Sequence, residues 1–234
     1  MQFDATVPTL KDRVAQMALK LVIEPIFETG FYPSSYAYRP GRRAQDAIAE
    51  IVHFTKAPSR YEWVVETDVE ACFDQLPHSL IGEELRRRIV DKRVLGLVRS
   101  FLKAGVMTET GRLQRTMTGT PQGGIASPLL ANIALSALDR AYLADWERMS
   151  SWDGKRRYLQ QHGHPTNRLV RYADDLVLVV KGTEPQARSL LDQLTARVQA
   201  LGLTLKSEKT AVTHIDEGFV FPRPADHPPR LRHQ

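Results

Sequence analysis

Leu169-Val170-Arg171-Tyr172-Ala173-Asp174-Asp175-Leu176-Val177-Leu178-Val179-Val180 is the stretch whose reading decides the fold. Two apolar, strand-like runs flank a pair of adjacent acids, which predicts a hairpin with both acids at its turn. Asp tolerates turn geometry, so an Asp-Asp pair alone says little. Side-by-side carboxylates repel each other, however, and a hairpin tip has no structural need for both. A divalent cation reverses that cost, because hard oxygen ligands are what Mg²⁺ takes. A second run far upstream, Trp63-Val64-Val65-Glu66-Thr67-Asp68, also ends in an acid. Three acids delivered from strand ends suit a two-metal phosphoryl-transfer site, with cations about 3.5–4 Å apart on the attacking and leaving oxygens.

The composition is compatible with that chemistry. The 234 residues are 42% hydrophobic and 25% charged, ordinary for a soluble globular chain of one substantial or two small domains. The net charge of +5 favours a polyanionic partner without identifying one. No apolar run approaches the roughly 18 residues that span a bilayer, so no membrane partner is expected. Met1-Gln2-Phe3-Asp4-Ala5 lacks the regions of a signal peptide, which makes a cytoplasmic location the default expectation. Cys72 is the single cysteine, which excludes an intramolecular disulfide and a cysteine-rich zinc site. Buried packing is its expected role. His162-Gly163-His164 has metal-like spacing, but without cysteine nearby it is not read as a metal site.

Periodicity places the remaining elements. A helix is predicted over 10–29, carried by Val14, Met17, Leu21 and Ile23, with Pro25 marking a break or kink. An irregular basic and aromatic segment, Phe31 to Arg43, leads to a helix over 43–56 with Ala44, Ile48, Ile51 and Val52 on one face. The Trp63–Thr67 strand then delivers Asp68. Helical spacing returns over 79–104, and two short strands are expected around Thr110-Gly111. Gly119-Thr120-Pro121-Gln122-Gly123-Gly124 reads as a tight loop before a helix over 127–146, with Ser127 as N-cap and Pro128 at the permitted first position. A polar, basic connection over 149–167 precedes the hairpin. A helix over 184–201 and strand-like pieces at 203–206 and 211–215 follow. This order describes an α+β domain with a small antiparallel sheet packed on helices.

These motifs, in this order, resemble a known family. The blocks are Pro8-Thr9-Leu10-Lys11-Asp12-Arg13, Pro33-Ser34-Ser35-Tyr36 with Arg39-Pro40-Gly41-Arg42, and Thr67-Asp68-Val69-Glu70-Ala71-Cys72-Phe73-Asp74. After them come Gly119 to Gly124 with Ser127 to Asn132, Tyr172-Ala173-Asp174-Asp175, and Leu203-Thr204-Leu205-Lys206 with Lys209-Thr210. Over residues 7–221 the chain resembles the reverse transcriptase domain of group II intron-encoded reverse transcriptase/maturases, a bacterial retroelement family. The resemblance implies a polymerase palm with partial fingers and RNA-directed DNA polymerase activity. Its implied partners are an RNA template, a DNA primer, deoxynucleoside triphosphates and intron RNA. No oligomeric state follows.

The resemblance also implies roles. Asp68, Asp174 and Asp175 match the catalytic metal ligands, with the Val69 backbone carbonyl as a further oxygen ligand and Mg²⁺, or else Mn²⁺, as cofactor. Asp74 instead caps or orients the segment that follows. Phe73 falls where the family places an aromatic under the incoming sugar, excluding a 2′-hydroxyl; the other reading is a core Phe. Gln122 lies in the nucleotide-contacting loop, whose glycines permit close backbone approach. Lys209 matches a lysine that donates a proton to pyrophosphate, or is simply an exposed lysine. Arg39, Arg42 and Arg43, interleaved with Tyr36 and Tyr38, either grip template phosphates and stack on bases or form a solvated loop. The basic connection from Lys155-Arg156-Arg157 to Arg168 is a further candidate RNA contact.

Two departures from the family pattern shape the expectations. Only six residues precede Val7, where the family carries basic fingers residues that clamp the triphosphate. After Phe221 the chain turns proline-rich, so residues 222–234 are read as a disordered or frameshifted tail. The sequence therefore reads as truncated at both ends. The alternative to an active polymerase is a catalytically inert RNA-binding remnant. A nucleotidyl cyclase shares paired acids but leaves Gly119–Gly124 unexplained.

Overall fold

Alternating and continuous burial along the apolar runs builds one sheet. The computed structural model describes residues 9–104, 106–107, 113–114, 118–120, 124–219 and 221. Strands β1 (Trp63–Asp68), β4 (Thr166–Tyr172), β5 (Asp175–Lys181) and β6 (Ala211–His214) form an antiparallel sheet ordered β4-β5-β1-β6. Two shorter strands, β2 (Val106–Met107) and β3 (Leu113–Gln114), pair separately, as the sequence predicts. On β5 every residue from Leu176 to Val180 is buried, so both faces of this central strand are covered. Helix α2 (Ala44–Thr55) covers one face through Ala47, Ile51 and Phe54, which cluster with Tyr61, Val64, Val170, Val177 and Val179. Helix α8 (Glu184–Ala200) packs on β1 and β6 and buries Ala187, Leu190, Leu194 and Val198. Each fully buried Leu or Val of this set contributes about 1.5–3 kcal/mol of transfer free energy.

The chain divides into two compact units. The sheet, α2, α7 (Lys155–Gln161) and α8 belong to the unit formed by Tyr32–Glu70, Leu138–Ala200 and the residues from Thr204 onward. The other unit contains α1 (Leu10–Glu28), α3 (Cys72–Gln75), α4 (His78–Arg86) and α5 (Lys92–Lys103). Helix α6 (Ser127–Met149) starts in that unit and continues into the sheet-bearing one from Leu138.

Several sequence expectations are corrected. Helix α1 spans Leu10–Glu28, close to the expected 10–29, and Pro25 lies inside it without ending it. Its buried stripe is Gln16, Leu19, Ile23 and Phe27, whereas Val14, Met17 and Leu21 are exposed. The helix carries two apolar stripes at helical spacing, and periodicity alone does not choose between them. The helix predicted over 79–104 is two, α4 and α5. Asp91 begins the second by accepting a hydrogen bond from the Arg93 backbone N–H, the behaviour that favours Asp at helix starts. The polar connection contains α7, and the 203–206 piece contributes a single bridge, Leu205 to Val69. Cys72 is buried, in accord with its expected packing role. The Thr110-Gly111 turn, Gln122 and the tail from Pro222 lie outside the described residues.

Candidate active site

The hairpin register fixes where the acids stand. Tyr172 pairs with Asp175, leaving Ala173 and Asp174 as a two-residue loop. Ala173 adopts φ +57°, the positive value that tight hairpins require at a central position and that glycine usually supplies. On the other side of β5, Asp68 lies directly opposite Asp175. The buried Val69 donates its N–H to the Asp174 carbonyl at 3.2 Å, tying the loop to the end of β1. Two further bonds, Lys206 N–H to the Asp68 carbonyl and Glu70 N–H to the Thr204 carbonyl, both 2.8 Å, carry the pairing past β6. A 3₁₀ turn at Ser207–Lys209 then brings the Lys209 ammonium onto Asp68 Oδ2. Asp68, Val69, Asp174, Asp175 and Lys209 are thus gathered at one end of the sheet.

The site is under electrostatic tension. Asp68 is buried and Asp174 and Asp175 are partly so. Burial foremost, with the Asp68 charge adding to it, pushes the Asp174 carboxyl above its ordinary value. A backbone hydrogen bond and the charges of Lys209 and Arg171 pull the other way without winning. A carboxyl with a raised folded-state pKa stabilises the fold in its protonated form. That contribution is complete below the unfolded value near 3.8 and is lost as pH rises through the folded value. At neutral pH the ionised Asp174 therefore opposes folding. An Asp174→Asn chain in EDTA is expected to melt higher than wild type at pH 7, with the gap closing in acid, where both side chains are neutral. Added Mg²⁺ should raise the wild-type Tm and leave that of the variant lower in response. Thermal melts across pH and Mg²⁺ check this; a variant that melts lower at pH 7 in EDTA would contradict it.

Hard divalent cations take oxygen ligands. Three carboxylates from strand ends offer oxygen alone, and a site of this kind keeps positions open for water and substrate phosphates. Among the described residues no three acids, histidines or cysteines already converge into a cage. In this arrangement Asp68 faces the Lys209 ammonium.

Two residues that sequence reasoning passed over hold the loop from beneath. Arg171 and Asp139 are 0% and 1% exposed, and the guanidinium bridges both carboxylate oxygens at 2.9 and 2.6 Å. The same guanidinium donates to the Ala173 carbonyl at 2.9 Å, fixing the turn that presents Asp174. Its backbone is held in turn: Arg171 N–H donates to Ser34, and Tyr36 N–H to Arg171. The available signal was a charge inside each of two apolar runs, Arg171 between Val170 and Tyr172 and Asp139 in α6. A lone buried charge is too costly to keep, so each implied a partner.

The other predicted residues have different surroundings. Arg39 is buried, and its Nη1 donates to the carbonyls of Tyr32 and Ser35, so it staples its own loop. Arg42 donates to the Pro33 carbonyl and lies 5.3 Å from the Tyr36 ring centroid. Arg43 is exposed and paired with Asp46. The template-gripping expectation therefore falls on Arg42 and Arg43. Phe73 stands in α3, in the other unit, partly buried; its carbonyl accepts the Thr120 N–H at 2.6 Å. Asp74 is exposed, and its carbonyl accepts the Thr118 hydroxyl, a segment-orienting contact. Gly119 has φ +84°, and a Cβ there would sit 2.6 Å from the Asp74 carbonyl oxygen, so that loop admits only glycine.

Comparison with known proteins gives the family of the chain. The family model described as reverse transcriptase (RNA-dependent DNA polymerase) matches residues 3–229. Protein YkfC of Escherichia coli K12 is 34% identical over 92% of this chain and 60% of its own length. The group II intron-encoded protein LtrA of Lactococcus lactis subsp. cremoris is 31% identical over 92% of this chain and 43% of its own. The chain thus spans 60% or less of the length of these relatives. Among solved structures, apo telomerase from Candida tropicalis aligns with a TM-score of 0.58 at 15% identity, over 88% of this chain and 37% of that one, a likeness of fold. No helix among the described residues is long and apolar enough to cross a membrane. With a family match over nearly its whole length and group II intron-encoded proteins among its relatives, the chain belongs to the reverse transcriptase (RNA-dependent DNA polymerase) family.

Proposed function

We propose that this chain is an RNA-directed DNA polymerase domain of group II intron type, extending a primer 3′-hydroxyl by nucleotidyl transfer. The observation that carries the reading is the register that sets Asp68 opposite Asp175 with Asp174 at the adjoining loop. Asp68, Asp174 and Asp175 hold divalent cations, Mg²⁺ or Mn²⁺, with the Val69 backbone beside them. Bound there, such cations neutralise the triphosphate and lower the pKa of the attacking hydroxyl. Lys209, which faces Asp68, would offer its proton to the departing pyrophosphate. Arg171 and Asp139 keep the Ala173-Asp174 turn in place. The resemblance assigns Phe73 to the incoming sugar and Gln122 to the nucleotide, and Arg42 and Arg43 meet template phosphates. The test is incorporation of labelled deoxynucleotide on an RNA template with a DNA primer. Incorporation that requires Mg²⁺ or Mn²⁺ supports the reading. Its absence from folded protein favours an inert RNA-binding role.

A further inference from the structure

Strand β5 runs from the acids at Asp175 to Lys181, about 20 Å away at the usual rise per residue. Around that far end lies a concave surface of about 830 Å³ that the catalytic reading does not use. Trp146, Trp152, Lys155, Arg156, Arg157 and Lys181 line it, and Asp153 is the one acid of the lining among the described residues.

The floor is rigid. The Trp146 ring has the Arg156 guanidinium 4.3 Å and the Arg168 guanidinium 4.5 Å from its centroid, and Phe54 meets it edge-on at 5.5 Å. Arg168 is further fixed by Glu50 at 2.9 Å. The rim is open: Trp152 is 51% exposed, and outside the lining the ring of Tyr158 lies 5.8 Å from it. Trp152 lines the groove together with Lys155 and Arg157, so a flat exposed face and positive charge share one rim.

Flat exposed rings interleaved with cations are what a single strand of nucleic acid uses, bases stacking on the rings while phosphates meet the charges. An acidic peptide would satisfy the cations but give the tryptophan face little to do. We infer that this groove binds single-stranded RNA, at a second site separate from the carboxylates. The inference rests on the proposed use of RNA by this chain, and narrows it to a place.

The test is fluorescence anisotropy of a labelled, unstructured RNA of about 12 nucleotides, within the span single-strand sites cover. The full chain is compared with Trp152→Ala and with Lys155→Glu/Arg157→Glu, all substitutions at the groove rim and checked for unchanged melting. Trp152→Ala should weaken binding by about fivefold or more, the loss of one stacked base. The double substitution should also reduce the slope of log affinity against log salt by roughly 1.4, two phosphate contacts on a single strand. Unaltered affinity and slope in both variants would overturn the inference and leave the rim to solvent or an acidic protein. Deoxynucleotide incorporation on a short primer–template is measured alongside, which separates the groove from the carboxylate site. Loss of RNA binding with incorporation intact supports the groove. Groove-dependent binding in a chain that never incorporates would sink the polymerase reading and spare this one.

Discussion

Replacing Asp68 by Asn should lower single-nucleotide incorporation by about 10³-fold or more while the chain stays folded. Asn keeps the shape and one carbonyl oxygen but removes the charge that a cation needs at the end of β1. Charge stabilisation by a metal is worth several kcal/mol, and about 4 kcal/mol corresponds to 10³ in rate. The loss should fall on the maximal rate rather than on apparent nucleotide affinity, because the interaction strengthens as charge develops. The fold should tolerate the change, since the backbone bonds from Lys206 to Asp68 and from Val69 to Asp174 are untouched. Rapid-quench kinetics read the outcome. A variant retaining more than about a tenth of the wild-type rate, against a 10³-fold expectation, would show that Asp68 is not a metal ligand.

Asp139→Ala should cost about 3–5 kcal/mol of stability, because it strands the fully buried Arg171 guanidinium without its carboxylate. Denaturant unfolding would show this as a lower midpoint with an unchanged slope. A second variant separates charge from shape. Asp139→Leu with Arg171→Met removes both charges and should recover much of the lost stability, as apolar replacements of buried pairs often do. It should not recover incorporation, because the Ala173 carbonyl has lost the donor that fixes the turn. A single variant within about 1 kcal/mol of wild type would mean that Arg171 has found another partner.

The carboxylate-bearing end of the sheet was legible because its signals are local. Continuous apolar runs ending in acids gave β1, the β4–β5 hairpin and the three carboxylates, and the resemblance drew Lys209 into the same group. What stayed hidden depends on tertiary choices. On α1 the sequence offers two apolar stripes, and only packing selects Leu19, Ile23 and Phe27 over Val14, Met17 and Leu21. The break between α4 and α5 turns on one capping side chain at Asp91. Arg39 reads as a template arginine because a basic, aromatic loop suggests one. Its guanidinium instead bonds carbonyls four and seven residues upstream, which no spacing rule announces. Arg171 and Asp139 lie 32 residues apart, so their pairing appears only once α6 and β4 are folded together.

The central claim is that the paired acids of the hairpin perform nucleotidyl transfer, and primer extension with Asp174→Ala beside wild type tests it most directly. Both proteins are first shown to be folded, then given an RNA template, a DNA primer, deoxynucleotides and Mg²⁺. The account predicts extension by wild type and none above background by the variant. Equal extension by both would contradict it, placing the chemistry elsewhere or in a contaminant.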